Sequence, residues 1–228
     1  MIITILLIVI LIFSAILHEY AHGWMAHRLG DDTALREGRL TLNPLKHLDP
    51  IGSVVVPLLL VITKAPFFIA WAKPVPYNPY NLRDQKFGEL KVAAAGPVTN
   101  FGLAIIFGLI ARFLTLPVIT KTQLAINLLS GANDSALALT TGSVIASLTL
   151  LALLACLINL VLGLFNLIPI PPLDGSKILA AFLPEAGRRV LYQIERYGFI
   201  ILILLITSGF FSFVYTGAVW AFALITGL

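Results

Sequence analysis

Four long stretches of the chain are almost continuously apolar, and shorter polar segments separate them. The first runs from about Ile2 to Leu29. Its unbroken apolar part gives way to His18-Glu19-Tyr20-Ala21-His22, and Gly30 follows as a helix stop. The others cover about Glu89–Leu116, Ser135–Ile168 and Tyr197–Leu228. Each exceeds the roughly 20 residues that a membrane-spanning helix needs. Gly96-Pro97 falls near the start of the second, where a membrane helix tolerates proline. The third ends in Pro169-Ile170-Pro171-Pro172, which stops any helix, and Gly209 offers a break in the last. Ile51–Thr63 is apolar but too short for an ordinary crossing, which predicts a re-entrant segment or a short span across thinned bilayer. Pro66, Pro74, Pro76 and Pro79 predict extended chain over 64–87. The loose alternation of Leu35–Leu42 allows a short strand or hairpin. Residues 117–135 read as a polar connector, and 174–196 as polar and partly helical.

Composition fixes the class. Of 228 residues, 59% are hydrophobic and 11% charged, with mean hydropathy +0.97. A soluble domain carries about 25% charged residues. The chain therefore reads as an all-α integral membrane protein in one domain, 1–228. It is a polytopic helical bundle of about four full spans plus the short segment, with a small extended or β element. The first span has no basic residues before it and no cleavage site after it, so it reads as a retained helix rather than a signal peptide. The net charge of +4 includes no basic run long enough for nucleic acid. The lone Cys156 sits in an apolar run and reads as a small buried hydrophobe. Charge instead orients the chain. Four Lys/Arg fall in 27–49, five in 64–91 and four in 174–196, against Lys121 alone in 115–135. The three rich segments are assigned to the cytoplasmic side.

The chemistry gathers at 18–22. HExxH on a helix places His18 and His22 one turn apart on one face, within reach of one ion. Glu19 between them can take a proton from a metal-activated water. Ionisable groups at membrane depth are costly and mark functional sites. The competing arrangement puts all three past the bilayer edge, facing water. A catalytic zinc needs a third protein ligand. His27 breaks the spacing of the extended HExxHxxGxxH pattern and reads as a helix-end residue. His47 and Glu37 read as loop residues, Asp49 before Pro50 as a turn or cap, and Asp134 falls on the opposite side. Asp174 remains, on the same side as the histidines. Spacing alone leaves it open between a ligand and an ordinary Asp-Gly turn.

HEYAHGWMA (18–26) and NLIPIPPLDG (166–175) together resemble the two signature motifs of the site-2 proteases, the intramembrane zinc metalloproteases of peptidase family M50. AAAGPVTN (93–100) resembles the family's GPxxN segment. NPLKHLDPIG (43–52) and WAKPVPYNP (71–79) resemble a compact bacterial and archaeal branch without a PDZ domain. The resemblance implies zinc held by His18, His22 and Asp174, with Glu19 as general base. It also implies that Asn166 helps to hold the substrate carbonyl or its oxyanion. For Asn166 a helix–helix hydrogen bond is the equal alternative, and Asn100, with the same two readings, leans to that structural one. Asn159 reads as packing, and Gly96, Gly102 and Gly108 as close helix contacts. Trp71, Tyr77 and Tyr80 read first as interfacial anchors, and otherwise as part of an extended edge that pairs with unwound substrate.

The expected function is zinc-dependent endoproteolysis in or near the transmembrane segment of another protein, in a prokaryotic cell membrane. Its partners are a transmembrane substrate and lipid, and the site lies nearer the cytoplasm. Two rivals stand beside it. A metal carrier or channel would spread polar residues over repeated halves, which this chain lacks. An inactive client-binding relative would have lost a catalytic residue, and none is missing. Nothing in the sequence fixes the oligomeric state.

Overall fold

The computed structural model describes residues 2–49, 52, 55, 59, 62 and 73–228. Among these the helices run in the order α1 (Ile2–Arg28), α2 (Thr33–Arg36), α3 (Gly88–Phe113), α4 (Val118–Leu129), α5 (Asn133–Ala138), α6 (Val144–Asn166), α7 (Asp174–Ala180), α8 (Glu185–Glu195), α9 (Gly198–Thr207) and α10 (Phe210–Thr226). Three of them, α1, α3 and α6, are long and apolar enough to cross a membrane.

α6 is the centre of the bundle. Of its most apolar stretch 61% is buried inside the protein, against 33% for α3 and 22% for α1. α3 packs along α6, α1 lies against both, and α10 closes the far side. In lipid, helices associate through close packing rather than a hydrophobic drive, so small residues matter at the contacts. Ala104 and Ala111 of α3 are fully buried against Leu153, Leu154 and Leu160 of α6. A Cβ on Gly108 would collide with Ile225 and come within 3.0 Å of Cys156 Sγ. Cys156 is fully buried there, as the small hydrophobe expected. Gly102, by contrast, has nothing within 4 Å, so close packing does not explain it. The outer face of α1 exposes Ile5, Ile8, Ile12 and Phe13, as a lipid-facing surface should.

The spans differ from the sequence reading in three places. α6 starts at Val144 rather than Ser135. Gly142 turns the chain at φ +76°, Ser143 caps the helix by accepting from the Ala146 N–H at 3.2 Å, and α5 is a separate element. The connector 117–135 is largely helical, because Leu124, Ala125 and Leu128 give α4 a face buried in the core. The last apolar stretch is divided into α9 and α10 at Gly209, φ +80°, where the sequence offered a break, but neither piece alone is a long span. At 17 residues α10 measures about 26 Å, short of the roughly 30 Å hydrocarbon core. Among the described residues three single helices are long and apolar enough to span. A fourth is reached only if Glu185–Glu195 and Ile200–Thr207, bent by 82°, count as one.

Of the expected extended or β element, the β form is not seen among the described residues, which contain no strand and only a single bridging position at Leu48. Leu35–Leu42 instead continues from α2 through a turn at Gly38, φ +63°. Residues 73–78 carry no regular structure and lead into a 3-10 turn, Pro79–Asn81, capped by Asn78. The short segment expected at 51–63 lies largely outside the described residues, of which Gly52, Val55, Leu59 and Ile62 are helical. Trp71 also lies outside them.

Candidate metal centre

Four turns of apolar helix carry the 18–22 motif into the body of the bundle. His18 and His22 are both buried, and Glu19 is partly buried beside them. Their rings meet edge to face, 4.6 Å between centroids, with the two Nε2 atoms 3.0 Å apart. Space for this comes from α3. A Cβ on Gly96 would lie 2.5 Å from each Nε2, so glycine is required there by the histidines rather than by a neighbouring helix.

The opposite ring nitrogens are anchored. His22 Nδ1 donates to the Val92 carbonyl at 2.7 Å, and His18 Nδ1 to Asn100 Oδ1 at 2.5 Å. Asn100 in turn donates to Asn159 Oδ1 at 2.9 Å, and Asn159 to Ser14 Oγ and the Ala155 carbonyl, both at 2.9 Å. This buried chain ties α1, α3 and α6 together behind the site. It gives Asn159, which sequence reading left as packing, a definite task, and it makes Asn100 the helix–helix hydrogen bonder that was one of its two readings. Their polarity inside apolar runs was the visible signal; their partners were not.

Asp174 arrives from the far end of α6. The chain breaks after Asn166 and turns back so tightly that a Cβ on Gly175 would collide with the Leu167 and Ile168 carbonyls. That fold-back starts α7 at Asp174 and brings its Oδ2 to 3.0 Å from His18 Nε2 and 3.3 Å from His22 Nε2. The Asp-Gly pair is thus a turn, and the turn delivers the carboxylate to the histidines. Burial works to raise the Asp174 pKa, but the His18 and His22 rings within hydrogen-bonding distance hold it well below the usual carboxylate range.

The donor set fits a zinc ion. A tetrahedral zinc with bonds of about 2.0–2.1 Å has donor–donor edges of about 3.3 Å, close to the three separations seen. With both Nδ1 atoms donating, two lone pairs and a carboxylate oxygen face one another with no proton between them. The alternative makes one or both rings imidazolium, with their Nε2 atoms 3.0 Å apart. A divalent cation relieves either arrangement, and outer hydrogen bonds of this kind fix the ligating tautomer.

These groups line a cavity of about 140 Å³ that also includes Pro74, Val75, Tyr77, Asn166, Pro172 and Lys177. One Glu19 oxygen, Oε2, accepts from the Val75 N–H at 2.9 Å. Tyr77 places its ring under the Lys177 ammonium, 5.4 Å from the centroid, and its hydroxyl 3.5 Å from Glu89 Oε1. Burial and the nearby Glu89 carboxylate push the Tyr77 phenol far up, so it remains a neutral donor. Tyr77 is therefore a wall of the site rather than a membrane anchor, whereas Tyr80 is 88% exposed. Asn166 lines the cavity too, with its Nδ2 donating to the Leu162 carbonyl at 3.0 Å, which leaves the second amide N–H.

The other candidates are elsewhere. His27 pairs with Asp32 at 2.7 Å, and His47 is buried against the Thr41 carbonyl. Asp49 accepts from the Gly52 N–H at 2.6 Å, as expected of a turn residue, and Asp134 opens α5.

Apolar spanning helices around an HExxH-aspartate donor set define a helical membrane protein of metallopeptidase type. Residues 77–208 match the family described as Peptidase family M50, and the chain belongs to it. This is the site-2 protease family of the sequence resemblance, whose metal is zinc. The chain is 38% identical over 208 residues to "Putative zinc metalloprotease YwhC" of Bacillus subtilis, covering 91% of this chain and 83% of that one. It is 31% identical to "Putative zinc metalloprotease Rip2" of Mycolicibacterium smegmatis, covering 90% and 69%. It is 25% identical to the protein of the same name from Mycobacterium tuberculosis, covering 92% and 70%. No solved structure matches.

Proposed function

We propose that this chain is an intramembrane endopeptidase that cuts peptide bonds in or beside the transmembrane segments of other membrane proteins. His18, His22 and Asp174 hold its zinc, and Glu19 is its general base. The observation that carries the reading is the meeting of His18 Nε2, His22 Nε2 and Asp174 Oδ2 at 3.0–3.3 Å beside Glu19.

Zinc at this site supplies Lewis acidity, lowering the pKa of a water and polarising the scissile carbonyl. The chain does the rest. With Oε2 fixed by Val75, Glu19 presents its other oxygen to take the proton of the attacking water and pass it to the leaving amine. Asn166 offers its second amide N–H to the carbonyl oxygen as negative charge develops. The cavity is about ten times the 10–15 Å³ minimum for one water, so the reactant has room to enter. A helix about 10 Å across does not fit, so the substrate segment must unwind before cleavage. The basic segments around the site support placing it at the cytoplasmic side of a prokaryotic membrane, with a fragment released toward the cytosol.

The test is reconstitution in lipid with an end-labelled single-span protein. Wild type is expected to hold about one zinc per chain and to cut. Glu19→Gln is expected to keep the zinc and lose cleavage. Cleavage by Glu19→Gln at the wild-type rate, or no zinc in wild type after repletion, overturns the reading.

A further inference from the structure

Asp31 lies outside the donor set and just beyond α1, yet it is fully buried, at 0% exposure. Its two oxygens accept four hydrogen bonds. Oδ1 takes the Thr33 N–H at 3.2 Å, the Thr33 hydroxyl at 2.6 Å and Asn81 Nδ2 at 2.8 Å, and Oδ2 takes the Asn78 N–H at 2.7 Å. Two of these reach across to the irregular segment that forms one wall of the active cavity. Two further tethers bracket the same segment. Arg39 Nη2 donates to the Lys73 and Pro74 carbonyls at 2.7 and 3.2 Å, and the Arg83 N–H donates to the Leu29 carbonyl at 2.8 Å.

What the segment delivers is one amide. Pro74 and Pro76 have no N–H, so Val75 is the only backbone donor among 74–76, and it is spent on Glu19. Among the described residues the stretch joins no strand; a further backbone bond, from the Lys73 N–H to the His47 carbonyl at 2.8 Å, lies at its start. A buried carboxylate with four donors converging on it is a rigid anchor, because losing a partner leaves buried groups unsatisfied.

We propose that Asp31 is a positioning residue for the reaction: it latches 73–81 onto the end of α1 so that the Val75 N–H orients Glu19 and Tyr77 closes the cavity. The proposal rests on Glu19 being the base. It assigns Asp31 no contact with substrate or zinc.

The experiment uses the full chain in detergent and measures amide hydrogen exchange over 73–82, zinc per chain, and steady-state cleavage of the same end-labelled single-span protein. Asp31→Asn is compared with Asp32→Asn, a half-buried neighbour whose carboxylate pairs with His27. In Asp31→Asn, exchange over 73–82 is expected to accelerate about tenfold or more. Zinc should stay at wild-type level, KM should stay within about twofold, and kcat should fall about tenfold or more. Asp32→Asn should change none of these. Reversing the pair, Asp31→Asn with Asn81→Asp, restores the bond between positions 31 and 81 and should recover part of kcat, which a merely destabilised protein would not do. If Asp31→Asn does not fold, Asn81→Ala removes a single tether and should give a smaller change in the same direction. Unchanged exchange over 73–82 overturns the latch. So does faster exchange with unchanged kcat while Glu19→Gln is inactive. If Glu19→Gln itself cleaves at the wild-type rate, the base assignment fails and takes this proposal with it.

Discussion

Two glycines of α3, Gly96 and Gly102, give a paired test of the metal centre. An alanine Cβ at 96 would lie 2.5 Å from both histidine Nε2 atoms and 2.6 Å from His18 Cε1, whereas ordinary contact starts at 3.4 Å. Each ring must therefore retreat by about 0.9 Å. Neither is free to do so, because Asn100 and the Val92 carbonyl hold their far nitrogens at 2.5 and 2.7 Å. Zinc bonds tolerate deviations of only about 0.2 Å. Losing an outer partner alone costs about 10–100-fold in metal affinity, so displacing two ligands directly should cost at least about 100-fold. Gly102→Ala meets nothing within 4 Å and should keep zinc while gaining about 0.5–1 kcal/mol of helix stability. The assay is zinc per chain across a series of chelator-buffered free zinc concentrations, with thermal unfolding alongside. A Gly96→Ala protein that binds zinc like wild type would refute the packing argument. Gly102→Ala losing zinc would show that the effect belongs to the helix rather than to the histidines.

Other outcomes follow from the same geometry. Asn100→Ala removes the acceptor of His18 Nδ1 and leaves Asn159 Oδ1 without its donor, so zinc affinity should fall about 10–100-fold in the same titration. Asp31 has a pKa below the ordinary carboxylate value: burial opposes this, but Thr33, Asn81 and Asn78 outweigh it. Its contribution is then complete above about pH 4 and is lost as pH falls through the depressed value. The gap in melting temperature between wild type and Asp31→Asn should accordingly narrow below pH 4; a gap that widens there contradicts the assignment. Stripping zinc with chelator should lower the melting temperature, since zinc at 1,000 times its Kd stabilises by about 4 kcal/mol. Asp174→Ala, which also empties the third ligand position, should abolish that shift.

The apolar runs settle the membrane class, because no soluble fold hides so much apolar surface, and the period of HExxH places both histidines on one face. The membrane also keeps ionisable side chains few, so the eligible third ligands could be sorted one by one. Spacing could not tell whether Asp174 reaches the histidines, because that depends on where the chain after α6 folds back. The close approach of Gly175 to the Leu167 and Ile168 carbonyls is a contact between backbone segments that no linear pattern encodes. Asn100, Asn159 and Ser14 were visible as polar residues in apolar helices, but each hydrogen bond joins positions 59 to 145 residues apart. The limits of α6 escaped hydropathy for a related reason, and the division at Gly209 was legible only from the glycine itself. Apolar composition persists across a cap or a left-handed glycine, while the helix itself ends on backbone geometry. Which oxygen of Glu19 is tied, and by what, was decided only when Asp31 and Arg39 fixed an irregular segment against α1. That is a tertiary arrangement with no periodic signature.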